Sequence, residues 1–310
     1  MDKIQELLKQ TSYKNYTIEE IQCDNSFKNY FRLSLEDDNF HLIDFSLTKD
    51  SAAEFVDITR RLLTVGVKIP EIIDQNIENQ FLIVEDLGGE RYSDVLDWDN
   101  FEEYYKKAID KIIKIQKTDV NNLSIHDKTS LHSEMNLMQK WYFEGVLRKA
   151  LTSKQKDIIS TTLDDISSVV LSQPQKIFIH KDFNSKNISI VDDTLSVINS
   201  QNAMSGAVTY DLVSLLKDCH LNFEEDDINR LALYFRDKKG LSVSDEEFIK
   251  WFDFMGLQRH IKLLGVFSQS FICDGKKDYL KYIPLTLQYV FDVSNKYEET
   301  KALTQLLKEL

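Results

Sequence analysis

Proline, glycine and cysteine are all sparse in this 310-residue chain, at 3, 9 and 3 residues. So little proline and glycine leaves no room for a low-complexity or freely jointed linker, and no internal repeat is visible. Cys23, Cys219 and Cys273 lie far apart and have no CxxC spacing. No metal-ligand spacing appears among them, and the sparse, odd count predicts free thiols in a reducing compartment. Positive charge is also in short supply: 38 Lys and Arg face 51 Asp and Glu, a formal net charge of −13. Neutralising nucleic-acid phosphates needs a basic face, so nucleic acid is not an expected partner. Anionic small substrates stay open, because a few local cations can outweigh the global sign. No run approaches the roughly 18–20 apolar residues that span a bilayer. Met1–Lys9 lacks the apolar stretch of a signal peptide. The expectation is a cytoplasmic protein that does not bind membranes, with 42% hydrophobic residues and length for one large domain or two lobes.

What is present is a change of hydrophobic period along the chain. Residues 15–48 hold β-type runs, Phe27–Leu35 and Phe40–Leu47, separated by Glu36-Asp37-Asp38-Asn39. From Ser51 to Gly66, Phe55, Ile58, Leu62 and Leu63 recur at helical spacing, with Ser51 as N-cap and Gly66 as stop. Another apolar run, Gln80–Val84, ends at Glu85-Asp86-Leu87-Gly88-Gly89. Beyond it the pattern predicts helices over about 99–119, 127–148, 153–171, 209–219, 226–236, 245–273 and 276–309. Three short strands interrupt them: Lys176–His180, Ile188–Val191 and Leu195–Ile198. The outline is α+β, with a small sheet-bearing N-terminal lobe carrying one main helix (1–88) and a larger, mostly helical C-terminal lobe (89–310). A chain crossing between two lobes predicts a ligand cleft.

The strongest chemical signal is His180-Lys181-Asp182-Phe183-Asn184-Ser185-Lys186-Asn187, which follows a strand and precedes a hairpin. Its His-x-Asp-x-x-x-x-Asn spacing is that of a kinase catalytic loop. That chemistry needs both groups on one tight loop: Asp182 to orient an acceptor hydroxyl and take its proton, Asn187 to offer a neutral oxygen to a phosphate-bound metal. The competing reading is an incidental polar turn, and the strand–loop–hairpin setting weighs against it.

The stretch Ile179–Asp218 resembles the aminoglycoside phosphotransferase/choline kinase superfamily, whose members share a protein-kinase-like fold. More narrowly, the chain is similar to bacterial anomeric kinases of N-acetylmuramate and N-acetylglucosamine, used in cell-wall sugar recycling. Asp24–Arg32, Val84–Gly88, Thr209–Cys219 and Gly256–Gly265 carry the narrower resemblance, followed by Asp274-Gly275-Lys276 and Tyr279-Leu280. The resemblance implies an ATP-dependent, Mg²⁺-requiring phosphotransferase acting on a hydroxyl of a small molecule, an amino sugar. It implies nucleotide contacts from Asn25, Ser26 and Phe27 and from the Glu85–Leu87 backbone, with Leu87 an apolar wall. Asn187 and Asn199 would face the metal, and His180 and Asp211 would support the catalytic loop. Asp218, seven residues after Asp211, is a candidate for the acceptor pocket, as is Arg259, a cation suited to a lactyl carboxylate.

The chain also departs from that pattern. Where the family has Asp-Phe-Gln-Asp-Ala, it reads Asn199-Ser200-Gln201-Asn202-Ala203. Mg²⁺ is usually held by one or two carboxylates plus substrate phosphates, and an amide oxygen brings no formal charge. Two readings follow: an active kinase with a weakened metal site, or a non-catalytic relative that binds nucleotide or sugar. Antibiotic modification is a weaker third. The strand Phe40–Phe45 carries no lysine to hold phosphates. Lys28, Arg32 and Lys49 are the substitute cations, and Glu54 is either a vestige of the lysine's helix partner or a solvated helix acid. His126, His132 and His220 match no zinc-ligand spacing.

Overall fold

The structure, a computed structural model, describes residues 2–9, 11–21, 29–46, 51–191, 193–221 and 223–309. The chain divides into two compact units, Met1–Arg91 with Ile188–Gln201, and Tyr92–Asn187 with Asn202–Leu310.

In the first unit, α1 (Asp2–Leu8) precedes β1 (Thr17–Ile21), β2 (Asn29–Leu35) and β3 (Asp38–Asp44). Then follow α2 (Ala52–Thr64), β4 (Ile72–Asn76) and β5 (Phe81–Glu85). Within the described residues these five strands form an antiparallel sheet, ordered β1-β2-β3-β5-β4. Side-chain alternation sorts its faces. Phe31, Leu33, Leu42, Phe81 and Ile83 cluster with Ile4 and Leu8 of α1. Ile43, Phe45, Leu82 and Val84 cluster instead with Ala52, Phe55 and Val56 of α2. Each large side chain so buried stabilises by about 1.5–3 kcal/mol. Because β5 is covered on both faces, Phe81–Val84 reads as a continuous apolar run rather than an alternating one.

Helix α2 starts where the sequence predicts. Ser51 Oγ accepts from the Glu54 N–H (3.1 Å) and the Glu54 carboxylate accepts from the Ser51 N–H (3.2 Å), a capping box. Glu54 is therefore an exposed helix acid that caps its own helix, the second of the two readings given for it.

Beyond β6 (Glu90–Arg91) the strands are β7 (Ile177–Ile179), β8 (Ile188–Val191), β9 (Thr194–Val197) and β10 (Met204–Gly206). In the first unit β8 pairs with both β6 and β9, so the hairpin that follows residue 187 belongs with the N-terminal strands. Gly89 permits this approach: its φ is +84°, and a Cβ there would lie 2.3 Å from the Ile190 carbonyl oxygen.

The second unit contains α3 (Tyr92–Val95), α4 (Phe101–Ile115), α5 (Lys128–Leu137), α6 (Ser153–Ser172) and α7 (Tyr210–Leu216). It continues with α8 (Glu225–Lys239), α9 (Asp245–Asp274), α10 (Ile283–Lys296) and α11 (Lys301–Glu309). Residues Trp251–Ile261 of α9 are buried without a break, the mark of a helix enclosed on all sides. No helix among the described residues is long and apolar enough to cross a membrane.

Two predicted helices are subdivided. The 127–148 segment is α5 followed by a π-helix, Met138–Val146. The change falls where α9 passes closest: a Cβ on Gly265 would lie 2.4 Å from the Leu137 carbonyl carbon and 2.6 Å from the Met138 nitrogen. The 276–309 segment is a 3₁₀ turn (Lys277–Tyr282), α10 and α11. Pro284 lacks an N–H and fits only a first helical turn, so α10 must begin there. Tyr297, extended at φ −115° and ψ 137°, separates α10 from α11.

Gly265→Ala is expected to destabilise the protein by about 1–3 kcal/mol through overpacking. Urea unfolding measures this, and an unchanged midpoint would contradict the close approach.

Candidate active site

The loop His180–Asn187 leaves β7, which pairs antiparallel with β10 so that Ile179 faces Met204. Lys181 then takes a left-handed conformation, φ +69°. For a residue with a Cβ this costs about 1–2 kcal/mol, so the surroundings must enforce it. Two acids associated with α7 do so. Asp211, wholly buried, accepts from the His180 N–H through one oxygen (2.8 Å) and the Lys181 N–H through the other (3.0 Å). Asp218, 1% exposed, accepts at one oxygen from the Ser185 N–H (2.9 Å) and Oγ–H (2.6 Å). Its other oxygen accepts from the His220 N–H (3.1 Å). One carboxylate grips the start of the loop and the other its middle. Burial raises the Asp211 carboxyl to about 7, against the opposing pull of those two N–H bonds.

Asp182 is different: it is half-buried, with a surface open to solvent. Asn184 Nδ2 donates to its Oδ1 (2.8 Å), and its own N–H donates to His180 Nδ1 (3.3 Å). Asn187 Nδ2 donates to the Asp182 carbonyl (2.9 Å), and the oxygen of such an amide is the atom type that ligates cations. A steadied, partly exposed carboxylate can orient a hydroxyl and accept its proton.

Asn199 lies in the first unit at φ +63°, which asparagine tolerates, and its Oδ1 accepts from the Tyr30 hydroxyl (3.1 Å). The amide oxygens of Asn187 and Asn199 are hard donors of the type Mg²⁺ prefers. Each residue taken singly fits such an ion in ligand type, and neither brings a formal negative charge.

The other expected site residues fall as follows. The Glu85 N–H donates to the Glu71 carbonyl (2.9 Å), and its carboxylate accepts from the Glu71 N–H (3.2 Å). Asp86 accepts from Arg32 (2.9 Å), which ties up one of the candidate phosphate cations. Leu87 is half-buried. Asn25, Ser26 and Phe27 lie outside the described residues, as do Lys28 and Lys49. Arg259 is 4% exposed and its Nε donates to Ser214 Oγ (2.8 Å). Asp218 and Arg259, both expected at the acceptor, are thus enclosed in the packing around α7. His180, Asp182, Asn187, Asp211 and Asp218 converge on one loop.

Sequence reasoning did not single out Ser185 or Glu134. Ser185 sits inside the motif, where its hydroxyl had no visible partner; Glu134 sits on a helix without any motif. The ligand atoms of Asp218, Cys219 and His220 also come within 4.8 Å of one another, a cluster that histidine spacing did not suggest. A cavity of about 860 Å³ in the second unit is lined by Lys217, Phe223, Asp253, Tyr289 and Lys296, and by none of the expected site residues.

A family model described as the phosphotransferase enzyme family matches residues 17–251. The chain belongs to this family. It is 31% identical over 299 residues to the N-acetylmuramate/N-acetylglucosamine kinase of Neisseria meningitidis serogroup B, covering 93% of this chain and 89% of that one. It is 31% identical over 293 residues to the enzyme of the same name from Pseudomonas aeruginosa, covering 93% and 86%. Among solved structures, the ADP-bound aminoglycoside phosphotransferase APH(2'')-Ib aligns with a TM-score of 0.64 at 15% identity, covering 93% of this chain and 97% of that one. The α+β, protein-kinase-like fold is therefore the one this phosphotransferase has. The family relationship is the one the motifs predict, and the relatives, all kinases by name, lend nothing to the non-catalytic alternative.

His260 supports α7 from below. Its Nε2 lies 3.0 Å from the Lys217 carbonyl and its ring stacks on Tyr289 at 4.6 Å. Burial pushes its pKa down to about 3 from an ordinary 6.5. The folded state resists protonation that the unfolded chain accepts, so this contribution to stability is full above 6.5 and is lost as pH falls toward 3. The melting temperature of His260→Gln is accordingly expected to decline less steeply than wild type between about pH 6.5 and 4. Calorimetry across that range checks it, and parallel slopes would refute it.

Proposed function

We propose that this phosphotransferase is an ATP-dependent amino-sugar kinase that phosphorylates a hydroxyl of N-acetylmuramate or N-acetylglucosamine in the cytoplasm. The observation that carries the reading is the loop with a half-exposed Asp182 between two buried carboxylate anchors, Asp211 and Asp218. The choice of acceptor is supported by relatives of that name at 31% identity, and the choice of nucleotide by the ADP-bound structure of like fold. The acidic balance and the lack of a membrane-crossing helix among the described residues suit a small-molecule enzyme without nucleic-acid or membrane partners.

In this reading Asp182 orients the acceptor hydroxyl and receives its proton as the oxygen bonds to the γ-phosphorus. The bond from phosphorus to the β–γ bridging oxygen breaks, and ADP leaves. A loose transition state asks the protein mainly for positioning, which the anchors of the loop provide. Asn187 and Asn199 would hold Mg²⁺ through their amide oxygens. When bound, the ion stabilises charge developing on the phosphates. Residues 1–88 supply the nucleotide contacts, from Asn25, Ser26, Phe27 and the Glu85–Leu87 backbone with Leu87 beside the base; residues 89–310 supply the acceptor site. His180 and Asp211 act as supports of the loop. Asp218 supports it as well, through Ser185, and Arg259 braces α7 through Ser214.

Phosphate transfer from ATP to the two amino sugars with Mg²⁺ tests the proposal. Asp182→Asn is expected to lower kcat by about 10²–10⁴-fold with melting temperature and ATP affinity retained. No turnover on amino sugars, aminoglycosides or choline-like alcohols would overturn it. Asn199→Asp adds the missing charge and is expected to lower the Mg²⁺ concentration giving half-maximal rate; an unchanged titration would remove residue 199 from the metal site.

A further inference from the structure

We propose that Glu134 is a positioning residue, whose carboxylate holds Lys181 in the left-handed conformation that aims Asp182. The inference rests on the reading of His180–Asn187 as the reacting loop and adds to it a residue that no motif contains.

Glu134 projects from α5 with a side chain 16% exposed. Its Oε1 accepts from Lys181 Nζ at 2.6 Å and lies 3.8 Å from Lys262 Nζ. Its Oε2 lies 3.0 Å from His126 Nε2 and accepts from Gln258 Nε2 at 2.9 Å. One carboxylate thus gathers groups from the segment before α5, from the loop and from two positions of α9. Burial alone would raise its pKa; Lys262, His126 and Lys181 together outweigh this and keep it ionised far below the ordinary range. An ionised carboxylate can only accept, so His126 Nε2 is the donor of their contact, and burial lowers the pKa of that ring.

The geometry shows why this matters for Asp182. Lys181 immediately precedes it and has the positive φ. Its N–H is fixed by Asp211, and its ammonium by Glu134 and by Met204 Sδ at 3.2 Å. Rotating Lys181 back to the ordinary right-handed region would withdraw the ammonium from a largely buried ion pair. The side-chain anchor therefore selects the backbone conformation. The two anchors are also joined: Lys262 Nζ donates to the Tyr210 hydroxyl (3.0 Å), and Tyr210 precedes Asp211 and meets the His126 ring edge-on at 5.2 Å.

The test uses the full chain and a double-mutant cycle with Lys181→Gly, because glycine adopts positive φ without a side-chain anchor. Glu134→Gln keeps the shape and removes the charge. It is expected to lower kcat about 10–100-fold, as misplacement of a reacting group does, with KM for ATP within about two-fold. In the Lys181→Gly background the same change is expected to cost less than about two-fold, a result that general loss of stability would not produce. Amide exchange over residues 179–187 provides a readout independent of turnover. It is expected to accelerate in Glu134→Gln relative to wild type, with residues 52–64 unchanged, and to show no added acceleration in the glycine background. If Glu134→Gln folds poorly, Glu134→Gln with Lys262→Met restores the charge balance and is expected to keep the low kcat and fast loop exchange. A wild type inactive on every acceptor would sink the kinase reading while the exchange data still judged Glu134. Equal losses of kcat in both backgrounds, or unaltered loop exchange, would overturn the proposal.

Discussion

The capture of one loop by two buried carboxylates is the interaction on which the candidate site depends. Asp211 and Asp218 sit at opposite ends of α7, and between them they accept the N–H groups of His180, Lys181 and Ser185 and the Ser185 hydroxyl. Hydrogen bonds to a charged acceptor contribute about 1.5–3 kcal/mol each. Burying an unpaired carboxylate would cost more than any one of them returns. Loop and helix are consequently interdependent: the acids are tolerable inside because the loop satisfies them, and the loop holds its shape because they are inside. Three aspartates with the same side chain acquire different roles from burial alone, and only Asp182 keeps a surface open to solvent.

Helix α9 extends this arrangement. Its consecutive Gln258, Arg259 and His260, with Lys262 one turn on, are not a solvated stripe. They reach Glu134, Ser214, the Lys217 carbonyl and Tyr210. A central helix surrounded on all sides can direct polar groups to different neighbours, and such directed polar contacts favour one packing over alternatives of similar apolar burial. Gly265 on the same helix lets its backbone meet α5 where that helix turns into a π-helix.

Much of this was legible in the residue order because it follows from local chemistry. Ser51 and Gly66 bound α2 through capping and a left-handed stop. The apolar run Gln80–Val84 is the body of β5, which the fold covers on both faces. The spacing of His180, Asp182 and Asn187 singled out the loop that Asp211 and Asp218 hold. Strand β4 escaped notice because Ile72–Asn76 carries Asp, Gln and Asn, and it owes its pairing to β5 rather than to its own propensity. The breaks at Met138 and Tyr297 were equally hidden, since helical periodicity persists through a π-turn or a single extended residue.

The amino-acid sequence by itself determined the family, the α+β division and the loop that carries Asp182, because these are set by periodicity and by groups a few residues apart. Only the tertiary structure decided that Asp218 holds Ser185 of the loop, that Arg259 is buried against Ser214, and that Glu134 meets Lys181 across 47 positions. The physical reason is that a side chain's role follows from what shields it from water and what answers its charge. Those neighbours come from distant segments and exist as neighbours only once the chain has folded.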